Sequence, residues 1–348
     1  MKDALSRRTP LVAVGIAVAL WSTSFGLSAE VLRTASPAVL SVGRFVIGLL
    51  ILVPIAARRS GFRITLRQPR TVLLGLLGVA LYYSLTNVSL EFTTPGTAAL
   101  SNAALPALTA ISGLLILQER LGRRTIIGLV LATAGVVIVA GSGLGLDLGV
   151  VLCLIGLTSY ALYTVLLRRA PVSVESAGRA AGPPAPERVD PVVLATATAI
   201  WGTAIMLPWL GFEVVSGAAS APTGWVGIGS LTFLGVVITA PTLVLFNYGA
   251  ERLPAAVTGV MTAAIPALGY LFALLLGEQP DAITALGGGL ALIGVLIAAW
   301  TTPSIDSSPR DRLSPRQTKT LTSTRLPDAS RLQCLRFVAT DDSFLSQN

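Results

Sequence analysis

With 348 residues, 53% of them hydrophobic and only 12% charged, the chain carries half the charge of a soluble domain, for which about 25% is usual. The formal net charge of +8 does not point to nucleic acid, because the basic residues lie in short segments between apolar runs. There is no histidine and there are two cysteines, Cys153 and Cys334, which removes Ser-His-Asp and Cys-His chemistry, His-containing metal sites and a disulfide framework. No catalytic residue, metal ligand or cofactor is expected.

From the start of the chain, Lys2, Arg7 and Arg8 precede an apolar stretch from Leu11 to Ala29. That stretch is longer than the core of a signal peptide and reads as a first span, not a leader. A bilayer core needs roughly 20 apolar residues per helix. Spans are therefore predicted at 11–30, 36–57, 71–90, 95–117, 124–142, 147–168, 191–212, 224–248, 254–276 and 282–300. The fold class is an all-α membrane protein of about ten transmembrane helices. Hydrocarbon cannot satisfy an unpaired backbone group, and no alternating barrel pattern is present.

Two stretches read as non-membrane. Residues 170–190 are rich in Pro, Gly and Ala and form a predicted cytoplasmic linker. Residues 301–348 are rich in Ser, Thr and Arg without a sustained period, which predicts a mostly disordered cytoplasmic tail. Orientation follows from the basic residues. With the N-terminus inside, all of the 25 lysines and arginines except Arg33 and Arg44 fall on the inner side. The outer loops hold Glu30, Glu91, Asp147, Glu213, Glu278 and Asp281 instead. Both termini are predicted to be cytoplasmic, in the cytoplasmic (inner) membrane.

Residues 95–140 and 254–299 align at an offset of 159, pairing Pro95 with Pro254, Glu119 with Glu278, Gly128 with Gly287 and Gly135 with Gly294. Pro106 and Pro266 are out by one residue. The chain thus divides into a first half, 1–142, and a second, 143–300. With an odd number of helices in each, about five, the second half enters the membrane inverted. The charges agree, since the Glu119 loop is basic and the Glu278 loop acidic. Inverted repeats are the mark of secondary transporters, with a substrate site between the halves.

Each half runs through a small-residue helix, Leu105-Pro106 or Ile265-Pro266, a run of leucines, Gln118-Glu119 or Gly277-Glu278, and then a Gly-rich helix. With Leu20-Trp21-Ser22 and Val42-Gly43-Arg44-Phe45, this order resembles the EamA domain of the drug/metabolite transporter superfamily, over residues 11–300. Two departures are visible: the seventh span has no arginine matching Arg44, and Gln118 replaces the usual Gly. The resemblance implies ten helices, a central cavity lined mainly by the first, third, fourth, sixth, eighth and ninth, and export or exchange of metabolites.

Arg44 is an ionisable residue well inside a span, where a charge costs about 2.5–3.5 kcal/mol unless paired or hydrated. It could meet an anionic substrate or act as a gating charge; alternatively it snorkels outward or pairs with Glu30 or a helix end. Candidate cavity residues are Trp21, Ser24, Tyr83, Asn87, Thr97, Asn102, Tyr160, Tyr163, Thr242, Asn247 and Tyr270. Tyr83 and Asn87 stand one helical turn apart, and the amides of Asn87, Asn102 and Asn247 need partners inside the bundle. The competing reading of these groups is hydrogen bonding between helices without a ligand. Pro106, Pro241 and Pro266 interrupt their helices, as kinks for opening and closing or as packing irregularities. Glu119 and Glu278 sit at equivalent helix ends and read as structural contacts. The glycines of Gly141–Asp147 superficially resemble a dinucleotide or aspartyl-protease signature, but they follow a helix where a strand is required.

The expected function is alternating-access transport of a small metabolite, such as an amino acid or amine, as exporter or facilitator. An integral-membrane enzyme would need a catalytic constellation at membrane depth, and a structural or receptor protein gives no reason for the repeat. The expected partners are a small-molecule substrate and the lipid bilayer, without nucleic acid; nothing in the chain bears on oligomeric state.

Overall fold

The computed structural model describes residues 2–118, 122–140, 147–169, 189–250, 261–262, 264–279 and 281–299. The 170–188 stretch, the 301–348 tail, Glu119, Arg120, Arg252, Pro254, Thr258 and Gly141–Leu146 lie outside the described residues. Among the described residues there are helices and no strands. Seven helical segments among the described residues are long and apolar enough to cross a membrane. In chain order they and three shorter apolar helices are α1 (Thr9–Leu32), α2 (Pro37–Ala57), α3 (Pro69–Ser89), α4 (Pro95–Ile116) and α5 (Arg123–Ala140). There follow α6 (Leu148–Arg169), α7 (Pro191–Val215), α8 (Gly224–Gly249), α9 (Ala264–Leu275) and α10 (Ala282–Ala299).

Local chemistry sets the starts. Proline stands in the first turn of α2, α3, α4 and α7, where its missing N–H costs nothing and its fixed φ suits a helix. Side-chain oxygens of Thr94, Asp147, Asp190 and Asp281 accept from the backbone N–H groups of Thr97, Val150, Val192 and Thr284, satisfying donors that a helix start leaves open.

Among the described residues the interior departs from regular α-helix at four places. In α1 the regular helix breaks at Thr23, where Ser22 and Thr23 hydroxyls donate to the carbonyls of Val18 and Leu20, a bonding pattern that bends helices. In α4 the residues Asn102–Ala104 form a 3-10 turn. Pro106 cannot donate to the Asn102 carbonyl four residues back, and the Leu105 N–H takes that carbonyl instead. In α3 and α8 the segments Leu76–Leu81 and Leu234–Thr239 are π-helical, the second running up to Pro241. A π-turn adds a residue and rotates whatever follows.

The helices pack as α1 on α8, α6 on α3, α2 on α8, α7 on α3, α1 on α9, and α6 on α4, with α5–α10, α4–α9 and α2–α7 as further pairs. The closest approach is between α5 and α10. A Cβ on Gly135 would sit 2.4 Å from both the Ala291 nitrogen and the Gly287 oxygen, and one on Gly294 would sit 2.3 Å from the Ala132 nitrogen and 2.6 Å from the Gly128 oxygen. Contacts climb one helix as they descend the other, so α5 and α10 are antiparallel. The pair α2–α7 is antiparallel too. Glu213, at the end of α7, accepts from the Ala38 N–H at 3.3 Å, and Arg59, just beyond α2, pairs with Asp190 at 2.6 Å.

The two ends of the bundle differ in charge. At one end Arg59 meets Asp190, and Arg70 donates to the Leu166 carbonyl at 2.6 Å. At the other, Thr93 donates to Asp147 at 2.5 Å and Glu278 accepts from the Gly96 N–H at 2.8 Å. We call these the basic and acidic ends. Between them the flanks are apolar: Leu115, Leu275 and Leu286 are 74%, 76% and 74% exposed. Water would penalise such a surface, whereas lipid tails are as apolar as leucine.

Candidate functional site

A cavity of about 350 Å³ lies inside the bundle, within the range of small-molecule sites. It draws on α1, α2, α3, α4, α6, α8, α9 and α10. The break in α1 presents Trp21, Ser24, Phe25 and Ser28 to it. The π-turn in α3 is followed directly by Tyr82 and Tyr83, which line it together with Thr86 and Asn87. From α4 come Asn102 in the 3-10 turn, Pro106, Thr109, Ala110 and Gly113; from α6, Tyr160 and Thr164. Phe246, Thr262 and Pro266 complete the wall.

Aromatic rings form a connected series. Phe45, Tyr83, Tyr82 and Tyr160 follow one another with centroids 4.8 Å apart, and Tyr163 follows Tyr160 at 5.3 Å. Trp21, which also lines the cavity, lies 4.8 Å from Phe246. Such tilted and edge-on rings add stabilisation beyond their burial.

Arg44 is 1% exposed. Neither snorkelling nor pairing with Glu30 describes it, because Glu30 is engaged by Arg33 at 3.0 Å. Its Nε donates to the Thr239 hydroxyl at 3.1 Å and its Nη2 to the Ser24 hydroxyl at 3.2 Å. Its guanidinium carbon lies 4.8 Å from the Tyr83 ring centroid, a cation–π distance. Both π-turns therefore end at this arginine, one supplying Thr239 and the other Tyr83.

Of the residues singled out from sequence, the cavity brings together Trp21, Ser24, Arg44, Tyr83, Asn87, Asn102, Pro106, Tyr160 and Pro266. Asn87 donates to the Ser41 hydroxyl at 2.9 Å, and Asn102 to the Ala98 carbonyl at 3.2 Å. Thr97, Tyr163, Pro241, Thr242, Asn247 and Tyr270 are not among its lining. Thr97 belongs to the α4 cap, and the Tyr163 ring lies against Gly78 of α3. Thr242 donates back to the Ile238 carbonyl within its own helix, as Thr often does. Asn247 and Tyr270 each keep a buried side-chain polar atom with no partner among the described residues. The lining residues not expected from sequence include Phe25, Ser28, Tyr82, Thr86, Thr109, Thr164 and Phe246. Helical spacing was the available signal for three: Ser28 and Thr164 stand four residues after Ser24 and Tyr160, and Thr86 three after Tyr83.

At the acidic end α9 is pressed onto α1 and α4. A Cβ on Gly26 would sit 2.6 Å from Leu276 Cδ1, one on Gly96 2.6 Å from Glu278 Oε1, and one on Gly269 2.8 Å from the Ala99 Cβ. Glu278 also accepts from the Thr94 hydroxyl at 2.5 Å. Glu278→Ala is expected to lower stability by about 1–2 kcal/mol, read as a lower thermal midpoint in detergent, with Glu278→Gln intermediate. An unchanged midpoint for Glu278→Ala would remove the cap from the account. A second, shallower hollow of about 530 Å³ at this end is bordered by Arg33, Ser36, Glu91, Trp209 and Glu213.

A bundle of helices with apolar flanks around a cavity of mixed aromatic and polar lining belongs to an integral membrane protein. The EamA-like transporter family matches the chain twice in succession, at residues 9–141 and 147–300, and the chain belongs to that family. It is 24% identical over 289 residues to an uncharacterized transporter of Archaeoglobus fulgidus, covering 82% of this chain and 97% of that one. It is 26% identical over 297 residues to the uncharacterized transporter YdfC of Bacillus subtilis, covering 82% and 89%. A solved protein crystal structure superposes with a TM-score of 0.60 at 20% identity, covering 84% of this chain and 97% of that one; it shares the fold.

Proposed function

We propose that this protein is a secondary transporter that moves a small metabolite across the cytoplasmic membrane by alternating access, as exporter or facilitator. In this reading about ten spans form two inverted halves, 1–142 and 143–300, with both termini cytoplasmic. The basic end then faces the cytoplasm.

The observation that carries this reading is the α5–α10 seam. Gly128 and Gly135 are the offset partners of Gly287 and Gly294, and in space Gly135 meets Gly287 while Gly128 meets Gly294. Gly135 also meets Ala291 as its offset partner Gly294 meets Ala132, the offset partner of Ala291. Contacts in which i touches j and the equivalent of j touches the equivalent of i are those of a two-fold axis. Because the helices are antiparallel, the axis is perpendicular to them, which is what inverted halves require.

Three further features support the same relation. Advancing every helix by half the set turns α1–α8 into α6–α3, α2–α8 into α7–α3 and α1–α9 into α6–α4, all of which are packed pairs. The π-turns begin 158 residues apart, in the third helix of each half. The one-residue displacement of Pro106 from Pro266 fits the 3-10 turn before Pro106. Three residues rising about 2.0 Å each regain roughly 1.5 Å, the rise of one α-helical residue.

The cavity draws on both halves, and alternating access needs a site that each half can seal in turn. The tight contacts of α9 with α1 and α4 support a state closed at the acidic end. Purified protein in liposomes should show counterflow of a metabolite from a broad panel. No flux for the whole panel, with turnover of a lipid or peptide, would defeat the transporter reading. Topology is tested in a background lacking Cys153 and Cys334. A membrane-impermeant maleimide added to intact cells should label Ala218→Cys and spare Ser60→Cys, both exposed loop positions; the reverse pattern would overturn the orientation.

A further inference from the structure

We infer that Arg44 is the carboxylate-binding group of this cavity, and that the solute is an organic anion with a flat or apolar body instead of an amine. The inference rests on the transporter reading above and names the substrate class of that site.

Charge is the first argument. Arg44 borders the cavity at 1% exposure, and no Asp or Glu lines the cavity among the described residues. A buried cation is normally matched by a carboxylate, since an unpaired charge at membrane depth is costly. Here its protein neighbours are two hydroxyls and a ring face, which hydrate the charge without neutralising it. Among the described residues no acid pairs with it and Nη1 makes no hydrogen bond. The guanidinium is thus held by Nε, Nη2 and its face, leaving an N–H edge for a ligand. A fork of N–H groups suits a carboxylate.

Position is the second argument. Thr239 and Tyr83 reach Arg44 from the ends of two π-turns, and Ser24 from the break in α1. Three irregular backbone segments converge on one side chain, so its place is held independently of any ligand, as a preorganised site requires. The remaining walls decide the body of the solute. Two ring pairs, Trp21 with Phe246 and Tyr82 with Tyr160, line the cavity, walls that suit an aromatic or apolar group. Among the described lining residues Arg44 is the ionised side chain and no acid is present, so a cationic head would meet a positive charge there.

The test uses full-length purified protein and four probes of similar size: 3-phenylpropionate, its amide, 3-phenylpropylamine and phenylalanine, with further monocarboxylates of varied body. Binding is read by thermal shift and by equilibrium binding of labelled 3-phenylpropionate. A carboxylate is expected to bind at least about tenfold more tightly than the matched amide and amine, the scale of one charge-assisted hydrogen bond. Arg44→Gln is expected to abolish that preference and Arg44→Lys to keep part of it. If Arg44→Gln does not fold, the anion-against-amide comparison on the wild type, together with Arg44→Lys, decides. Equal binding of amide and anion, a preference that survives Arg44→Gln, or failure of every carboxylate to bind overturns the assignment. Anion preference without flux in liposomes leaves Arg44 standing and defeats the transporter reading. Flux of a neutral or cationic probe without anion preference does the opposite.

Discussion

Gly135→Val and Gly294→Val are each expected to destabilise the protein by about 3 kcal/mol, the upper part of the range for overpacking, and by similar amounts. At both positions the first atom of any side chain meets backbone, 2.4 Å from Gly287 and Ala291 in one case and 2.3 Å from Ala132 in the other. Backbone of a packed helix cannot rotate away as a leucine tip can, so α5 and α10 would have to separate. Within lipid no hydrophobic force returns them, because association there depends on close packing of small residues. Gly289, with nothing within 4 Å, is the control: Gly289→Ala should be neutral or gain up to about 1 kcal/mol from helix propensity. Thermal midpoints and monodisperse yield in detergent measure all three. Tolerance of valine at Gly135 alone would argue against the two-fold relation, since its partner contact at Gly294 is built the same way.

Ala110→Trp is expected to bring flux to background while leaving the fold intact. Ala110 borders the cavity from α4, beside Pro106 and Gly113, so an indole there grows into space that is empty of protein. The core contacts of α4 lie elsewhere, at Ala103 and Ala104 against α5 and α10. A small-molecule site works by burying most of its ligand, and an indole occupying a cavity of about 350 Å³ leaves little room for one. Proteoliposome flux and a thermal midpoint on the same preparation give the check. Unchanged flux would place the solute path outside this cavity.

The all-helical class, seven of the spans, the segregation of basic from acidic residues and the repeat of the halves were legible because each is written locally. A run of apolar residues must be helical in hydrocarbon wherever it packs, and the glycine register of α5 and α10 reads directly off the chain as an offset of 159. Cavity membership was not legible in the same way. In water an amphipathic stripe tells which face turns inward; in lipid both faces are apolar, so Tyr160 and Tyr163 look alike in sequence although Tyr160 lines the cavity and Tyr163 packs on Gly78. The π-turns worsen this by rotating the face of α3 ahead of Tyr82 and of α8 ahead of Phe246, which a regular helical period does not anticipate. Thr242 was expected inward, and Phe246, one turn further on, is the residue that lines the cavity.

By itself, then, the sequence determined that this chain lives in a membrane as apolar helices, that its two halves repeat, and that Arg44 is a charge needing company inside a span. Membership of the EamA-like transporter family follows from the same residues. Only the tertiary structure decided the company: two hydroxyls and a tyrosine face in place of Glu30, with no acid lining the cavity among the described residues. The reason is physical. Thr239 stands 195 residues from Arg44 along the chain, and a partner at that separation is chosen by how helices pack and where a π-turn shifts their register. Neither is recorded in the local pattern of apolar and polar residues.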